Sequence, residues 1–224
     1  WSACPAMPVW FGLLPAWFPI SIYEFSSWAR ASIVPLLIVM TQKKTRPVTI
    51  NIDEIFTASP SLRDYSFPST KLFSLERFFI LFDKFLKLLE RFPKHPGRER
   101  ALKFCDKWIC DHIERTEDIW PAMVYAIYAR LGLGHAWNDA TIQKAWNGLA
   151  RFQQCGLDQT HQQCCISPVW DTPWVGMALL EAGELSHSPA LLKAGRWLIA
   201  KQILDFYGDG AQKNKNGRPG GWAF

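Results

Sequence analysis

Apolar positions along this chain recur mostly at spacings of three and four. Between Lys71 and Phe92, the residues Leu72, Leu75, Phe79, Phe82, Leu86 and Leu89 fall on one helical face with charged residues between them. The spacing predicts an amphipathic helix whose aromatics belong to the core, and Arg98 to His112 predicts another helix. Thr45 to Thr70 has no sustained period and is rich in Pro, Ser, Asn and Asp, which predicts a long connector. Met7 to Met40 is almost wholly apolar but is interrupted by Pro8, Pro15, Pro19 and Pro35 and by the charges Glu24 and Arg30. No run within it reaches the roughly 20 apolar residues that a membrane-spanning helix needs. A bent pair of helices is the expectation. The patch Trp10, Phe11, Leu13, Leu14, Trp17 and Phe18 is then either a membrane-interface surface or one side of a buried hairpin.

A repeat appears in the second half. Ile119 to Gly134 (IWPAMVYAIYARLGLG) is similar to Val169 to Gly183 (VWDTPWVGMALLEAG), with Trp120 and Trp170 separated by 50 positions. Each is followed by a second helical pattern carrying Trp146 or Trp197, and these stand 51 apart. Two-helix units at such a period predict stacked helical hairpins. Alternation of apolar and polar residues is scarce, so the fold class is all-α. Hairpins of this kind can close into an α/α barrel, or toroid, with helix starts converging on a central cavity. In the second copy Asp171 suits the N-cap, Thr172 and Pro173 the first turn and Gly183 the stop. Trp120 and Trp170 then occupy equivalent helix starts, where their rings can face the cavity.

Composition narrows the function. Hydrophobic residues make up 49% of the chain and charged residues 20%, as in a globular protein, while 12 Trp fit either a large aromatic core or ring faces offered to a ligand or a membrane interface. The net charge of +5 comes from scattered residues and short runs such as Lys43, Lys44 and Arg46. No basic stripe interleaves with aromatics, so no nucleic-acid partner is expected. Cys105, Cys110, Cys155, Cys164 and Cys165 match no zinc spacing and read as reduced core thiols. His112, His135, His161 and His187 form no close pair, so no metal site and no cofactor are expected. An aromatic-walled cavity without metal or nucleophile suits a hydrophobic or cationic ligand. The first residue is Trp and the last stretch is GRPGGWAF, from which an internal piece of a longer protein is expected.

Lys193, Ala194, Trp197, Leu198, Gln202 and Gly208 resemble the QW repeat of triterpene cyclases, although Gly210 replaces its final Trp. A weaker copy near Lys107 and Trp108 has Ile113 in place of Gln. SPVWDT with the ALLEAG helix, IYEFSSWARASIVPLLIVM and GRPGGWAF are similar, in the family's order, to segments of bacterial squalene–hopene cyclases. Oxidosqualene cyclases share the WDT helix. The resemblance implies two α/α barrels, one inserted in the other. Residues 1–166 would be the inserted barrel with its membrane-facing helices, and residues 167–224 the start of the catalytic barrel. It favours the membrane reading of Trp10, Phe11, Leu13, Leu14, Trp17 and Phe18, on the cytoplasmic face of a bacterial inner membrane. Membrane lipid and squalene are the implied partners, and a homodimer is left open.

The same resemblance implies a reaction. A carboxylic acid protonates a terminal alkene of squalene, a carbocation cascade closes the rings, and hopene or hopanol is released. Aromatic faces can stabilise the cations without trapping them. The family's Asp-x-Asp-Asp acid motif falls after the segment that resembles GRPGGWAF, so none of the catalytic acids is expected in this chain, and the piece alone should be inactive. Asp205 and Asp209 read as solvated loop residues. Position matching implies that Trp170 holds the substrate, that Phe224 stabilises an intermediate cation, and that Ile119, Trp120 and Pro121 line the cavity. Other readings are a cyclase of oxidosqualene or another polyprene, a prenyltransferase-like toroid, which lacks a zinc set here, and a non-catalytic membrane scaffold.

Overall fold

The computed structural model describes residues 4–47, 49–51, 53–65, 71–92, 97–113, 119–205, 207–214 and 216–222. It is all-α apart from one small hairpin. The helices are α1 (Ser27–Gln42), α2 (Leu75–Leu89), α3 (Arg98–His112), α4 (Trp120–Leu133), α5 (Ala140–Ala150), α6 (Pro168–Glu181), α7 (Pro189–Ala200) and α8 (Asp209–Lys213). The hairpin strands β1 (Gln153–Cys155) and β2 (Thr160–Gln162) are antiparallel, with Gln154 opposite His161.

The apolar segment near the start folds differently from the expected pair of helices. Its first part makes two single 3-10 turns, Val9–Leu13 and Ile22–Glu24, and only Ser27–Gln42 is an α-helix. Pro8, Pro15 and Pro19 withhold the amide donors that a continuous helix in the first part would need. Helix α1 is mostly apolar and buries Ala31, Val34, Leu37 and Ile38 together with the polar Arg30 and Thr41. It packs on α3 and α4. The central core adds Ile22, Cys105, Ile109, Met123, Ile142 and Phe152. Only Cys105 among the cysteines is a core residue; Cys110, Cys155, Cys164 and Cys165 are exposed, contrary to the expectation of core thiols. Burial pushes the Cys105 thiol up to about 12.

Helices α4 and α5 form a close hairpin. Gly134 ends α4 at a φ of 99°, a left-handed turn that favours glycine, and Asp139 caps α5 by accepting from the amides of Thr141 at 3.0 Å and Ile142 at 3.1 Å. Gly148 lets α5 approach so closely that an added Cβ would stand 2.6 Å from Met123 Sδ. A buried Arg130 fastens three elements together. It meets Asp106 of α3 at 2.6 Å and grips Asp139 with two nitrogens at 3.1 and 2.9 Å, while His135 Nε2 meets Asp106 at 3.1 Å.

Helix α2 overturns one expectation. Phe79 and Phe82, expected in the core, are exposed, as are Leu72, Leu75, Phe78, Phe85 and Leu88; Leu86 alone of the helix is buried. The helix turns part of its charged side inward. Asp83 accepts from the amide of Ala6 at 2.6 Å, and Glu90 meets Lys43 at 3.5 Å. An amphipathic period identifies the apolar face but not what covers it.

Candidate functional site

Helix α6 begins earlier than its sequence indicates. Ser167 is the N-cap position and Pro168 takes the first helical place, where its missing amide donor costs nothing. Asp171 is therefore in the first turn, not at the cap, and its carboxylate accepts from Ser167 Oγ at 2.9 and 3.0 Å. A carboxylate here also complements the helix dipole. This start puts Trp170 and Trp174 four residues apart, on one side of α6.

These two tryptophans line a cavity of about 430 Å³ together with Val169, Pro173, Leu198 and Trp222. Leu198 comes from α7. Trp222 comes from the segment after α8, and three hydrogen bonds fix its approach. Its Nε1 donates to Leu198 O at 2.6 Å, Gln202 Nε2 donates to Gly220 O at 2.7 Å, and the Ile203 amide donates to Gly221 O at 2.9 Å. Gly220 has a φ of 114°, a conformation closed to most other residues. Because the indole N–H of Trp222 is already used on a carbonyl, what that side chain offers a ligand is its ring.

The lining is wholly apolar: three indoles, a proline ring and two aliphatic side chains. No charged group stands in it, so an entering hydrocarbon leaves no protein charge desolvated. The rings present negative π potential, which stabilises a cation without offering it a nucleophile. None of the lining residues can donate a proton to an alkene. Among the described residues no group of His, Cys, Asp and Glu is arranged to hold a metal ion.

Trp170 is therefore at the cavity, and half of its surface is open, with 54% exposed. Trp120 and Pro121, expected to join it, are half-buried at the start of α4, and Trp120 packs against the central core. Ile119 lies in that core, 7% exposed, and bridges to Cys165. The structure does not bring these three into the lining of the cavity. Phe224 lies outside the described residues. Trp174 and Trp222 were missed as site residues. The i, i+4 spacing to Trp170 could have found Trp174, whereas the position of Trp222 depends on hydrogen bonds back to α7.

The candidate interface patch is divided. Trp10, Phe11 and Leu13 pack against the core, Leu14 and Phe18 are half-buried, and Trp17 is 79% exposed. No helix among the described residues is long and apolar enough to cross a membrane.

Residues 1–155 match the squalene-hopene cyclase N-terminal domain, and residues 166–224 match the squalene-hopene cyclase C-terminal domain. The chain belongs to the squalene-hopene cyclase family. It is 34% identical to a squalene–hopene cyclase of Bradyrhizobium diazoefficiens, over all of this chain and 35% of that protein. It is 31% identical to a squalene–hopene cyclase of Zymomonas mobilis, again over the whole chain and 35% of the relative. A dammaradiene synthase of Dryopteris crassirhizoma is 34% identical over 91% of this chain and 30% of its own length. The chain thus spans about a third of the length of the curated relatives it matches. The cavity belongs to the part that matches the C-terminal domain of the squalene-hopene cyclase family.

Proposed function

We propose that this chain is part of a triterpene cyclase that converts squalene to hopene or hopanol. The observation that carries the reading is the wall of Trp170, Trp174 and Trp222 around a cavity with no charged or nucleophilic lining residue. Such a wall suits a reaction whose intermediates are carbocations, because ring faces lower the energy of each cation and no lone pair ends the cascade early. The acid that protonates the terminal alkene is not among the lining residues and has to be supplied from elsewhere in the protein. The test is incubation of the complete protein with squalene, followed by chromatography. Pentacyclic products are expected, and absence of any cyclised product would reject the reading.

A second product is favoured by one comparison. The relative named dammaradiene synthase is as similar as the relatives named squalene–hopene cyclase. The same chromatography separates the two, since a dammaradiene-type product would keep the cyclase reading and change the skeleton.

We also propose attachment to one face of a membrane, through α2. The exposed row of Phe78, Phe79, Phe82 and Phe85 supports this more strongly than the patch at residues 10–18, most of which is at least half-buried. Replacing Phe78 and Phe82 with Ser in the complete protein should move it from the vesicle pellet to the supernatant in sedimentation. Unchanged partitioning would reject α2 as the attachment surface.

A further inference from the structure

The stretch between Ile203 and Gly220 leaves α7, reaches the other half of the molecule and returns. Its two stems are joined, with the Gly220 amide donating to Ile203 O at 2.7 Å and the Ile203 amide to Gly221 O at 2.9 Å. At the far end stands Asp209, the first residue of α8. The expectation of a solvated carboxylate fails here. Asp209 Oδ2 accepts from Trp108 Nε1 at 2.9 Å and lies 3.4 Å from His112 Nε2 and 3.6 Å from Arg30 Nε. Trp108 and His112 are one turn apart on α3 and stack at 4.0 Å, so both present a nitrogen to the same oxygen. One turn along the same short helix, Lys213 pairs with Glu24.

Arg30 explains why the carboxylate is held. Its side chain is only 8% exposed, and its Nε has no hydrogen-bond partner among the described residues. Another nitrogen of the same guanidinium donates to Phe25 O, which leaves the charge itself to be balanced. A buried guanidinium requires an anion. Asp209 supplies it from a part of the chain whose helices α6 and α7 contribute no buried residue.

We propose that Asp209 is a latch that fixes the α6–α7 pair against the body formed by α1 and α3. Through the returning stem, the latch also holds Trp222 on the cavity wall. The latch is independent of what the cavity binds; only its consequence for Trp222 rests on the cyclase reading.

Limited proteolysis of the complete protein, read by mass spectrometry over residues 1–224, tests the latch without any substrate. Asp209→Asn should speed cleavage within residues 204–219 by tenfold or more while cleavage in the connector at 53–65 keeps its wild-type rate. Trp108→Phe, which removes one donor and keeps the ring, should give a rise of a few fold. The double variant should cleave no faster than Asp209→Asn alone, because the neutral amide no longer balances Arg30 and the stem is already released before the Trp108 donor is removed. Wild-type cleavage rates in Asp209→Asn, or rates that multiply in the double variant, would overturn the proposal. Hydrogen exchange on the unmodified chain covers the case in which Asp209→Asn fails to fold. The Ala211 amide should then be protected well beyond an exposed turn, and unprotected exchange at residues 209–213 would overturn the latch equally.

Discussion

The α4–α5 and α6–α7 hairpins are written in nearly the same pattern, yet they meet different surroundings. Trp120 and Trp170 start the first helix of each pair. Trp120 packs on the central core, whereas Trp170 is half open and lines a cavity. Met123, Ala126 and Ala129 of α4 are buried, and no residue of α6 is. Ten residues after each tryptophan, α4 carries Arg130, clasped by two carboxylates, and α6 carries the exposed Leu180. Helical period sets up both hairpins. What becomes core is decided by the neighbours, and α4–α5 has α1 and α3 against it.

The sharpest way to break this comparison is at those two equivalent positions. Arg130 is 5% exposed and balances Asp106 and Asp139, so Arg130→Ala strands two carboxylates and should cost about 3 kcal/mol in urea unfolding. Leu180→Ala should cost less than about 1 kcal/mol. Similar losses at the two sites would mean that the hairpins are equally integrated and that the contrast in burial is misread.

A smaller effect separates structure from function at the helix starts. Trp120→Ala should destabilise by about 2 kcal/mol, below the range for a fully buried tryptophan because the ring is only half-buried. Trp170→Ala should change stability by less than about 1 kcal/mol. In the complete protein, however, it should lower product yield from squalene or release partly cyclised products. Stability loss at Trp170 equal to that at Trp120, with an unaltered product spectrum, would reassign Trp170 to packing.

How much of this was legible varies with the range of the interaction. Helix positions came from period and caps, and α3 fits its expectation at both ends. The start of α6 was misplaced because two candidate signals compete within a few residues, and Pro168 at the first helical place prevails over Asp171 as a cap. The outward face of α2 and the burial of Asp209 were not legible. Both depend on partners far along the chain, and a one-residue pattern holds no information about them. For the cavity, SPVWDT pointed to Trp170, but Trp222 takes its place through bonds to Leu198 and Gln202.

A prediction of about 1 kcal/mol uses the two glycines inside the second helices. A Cβ at Gly148 would be 2.6 Å from the sulfur of fully buried Met123, so Gly148→Ala should cost about 1 kcal/mol through overpacking. Gly195 of α7 has nothing within 4 Å of the same position, and Gly195→Ala should stabilise by about 0.5 kcal/mol, since alanine has less backbone freedom to lose. Thermal unfolding of both variants checks the signs, and stabilisation at Gly148 would place α5 farther from α4 than described.

The smallest difference at neutral pH appears only in acid. Asp139 caps α5, whereas the corresponding cap of α7 is Ser188, which accepts from the Leu191 amide and does not titrate. The hydrogen bond from Arg130, followed by those from the Ile142 and Thr141 amides, holds the Asp139 carboxyl below its ordinary range against the opposing effect of desolvation. A depressed folded-state value stabilises the fold fully above the unfolded carboxylate value of about 3.9, and the stabilisation is lost as pH falls through the folded value. Nothing should change at this cap between about pH 5 and 8. Below about pH 4 the Ile142 amide should begin to exchange faster, and the Leu191 amide should show no matching loss until the molecule unfolds as a whole. Asp139→Asn should remove the Ile142 response, because asparagine can cap the helix without a titrating group. If both amides lost protection together in the wild-type chain, acid would act on a contact common to both hairpins, and the Arg130 clasp would not be the element that distinguishes them.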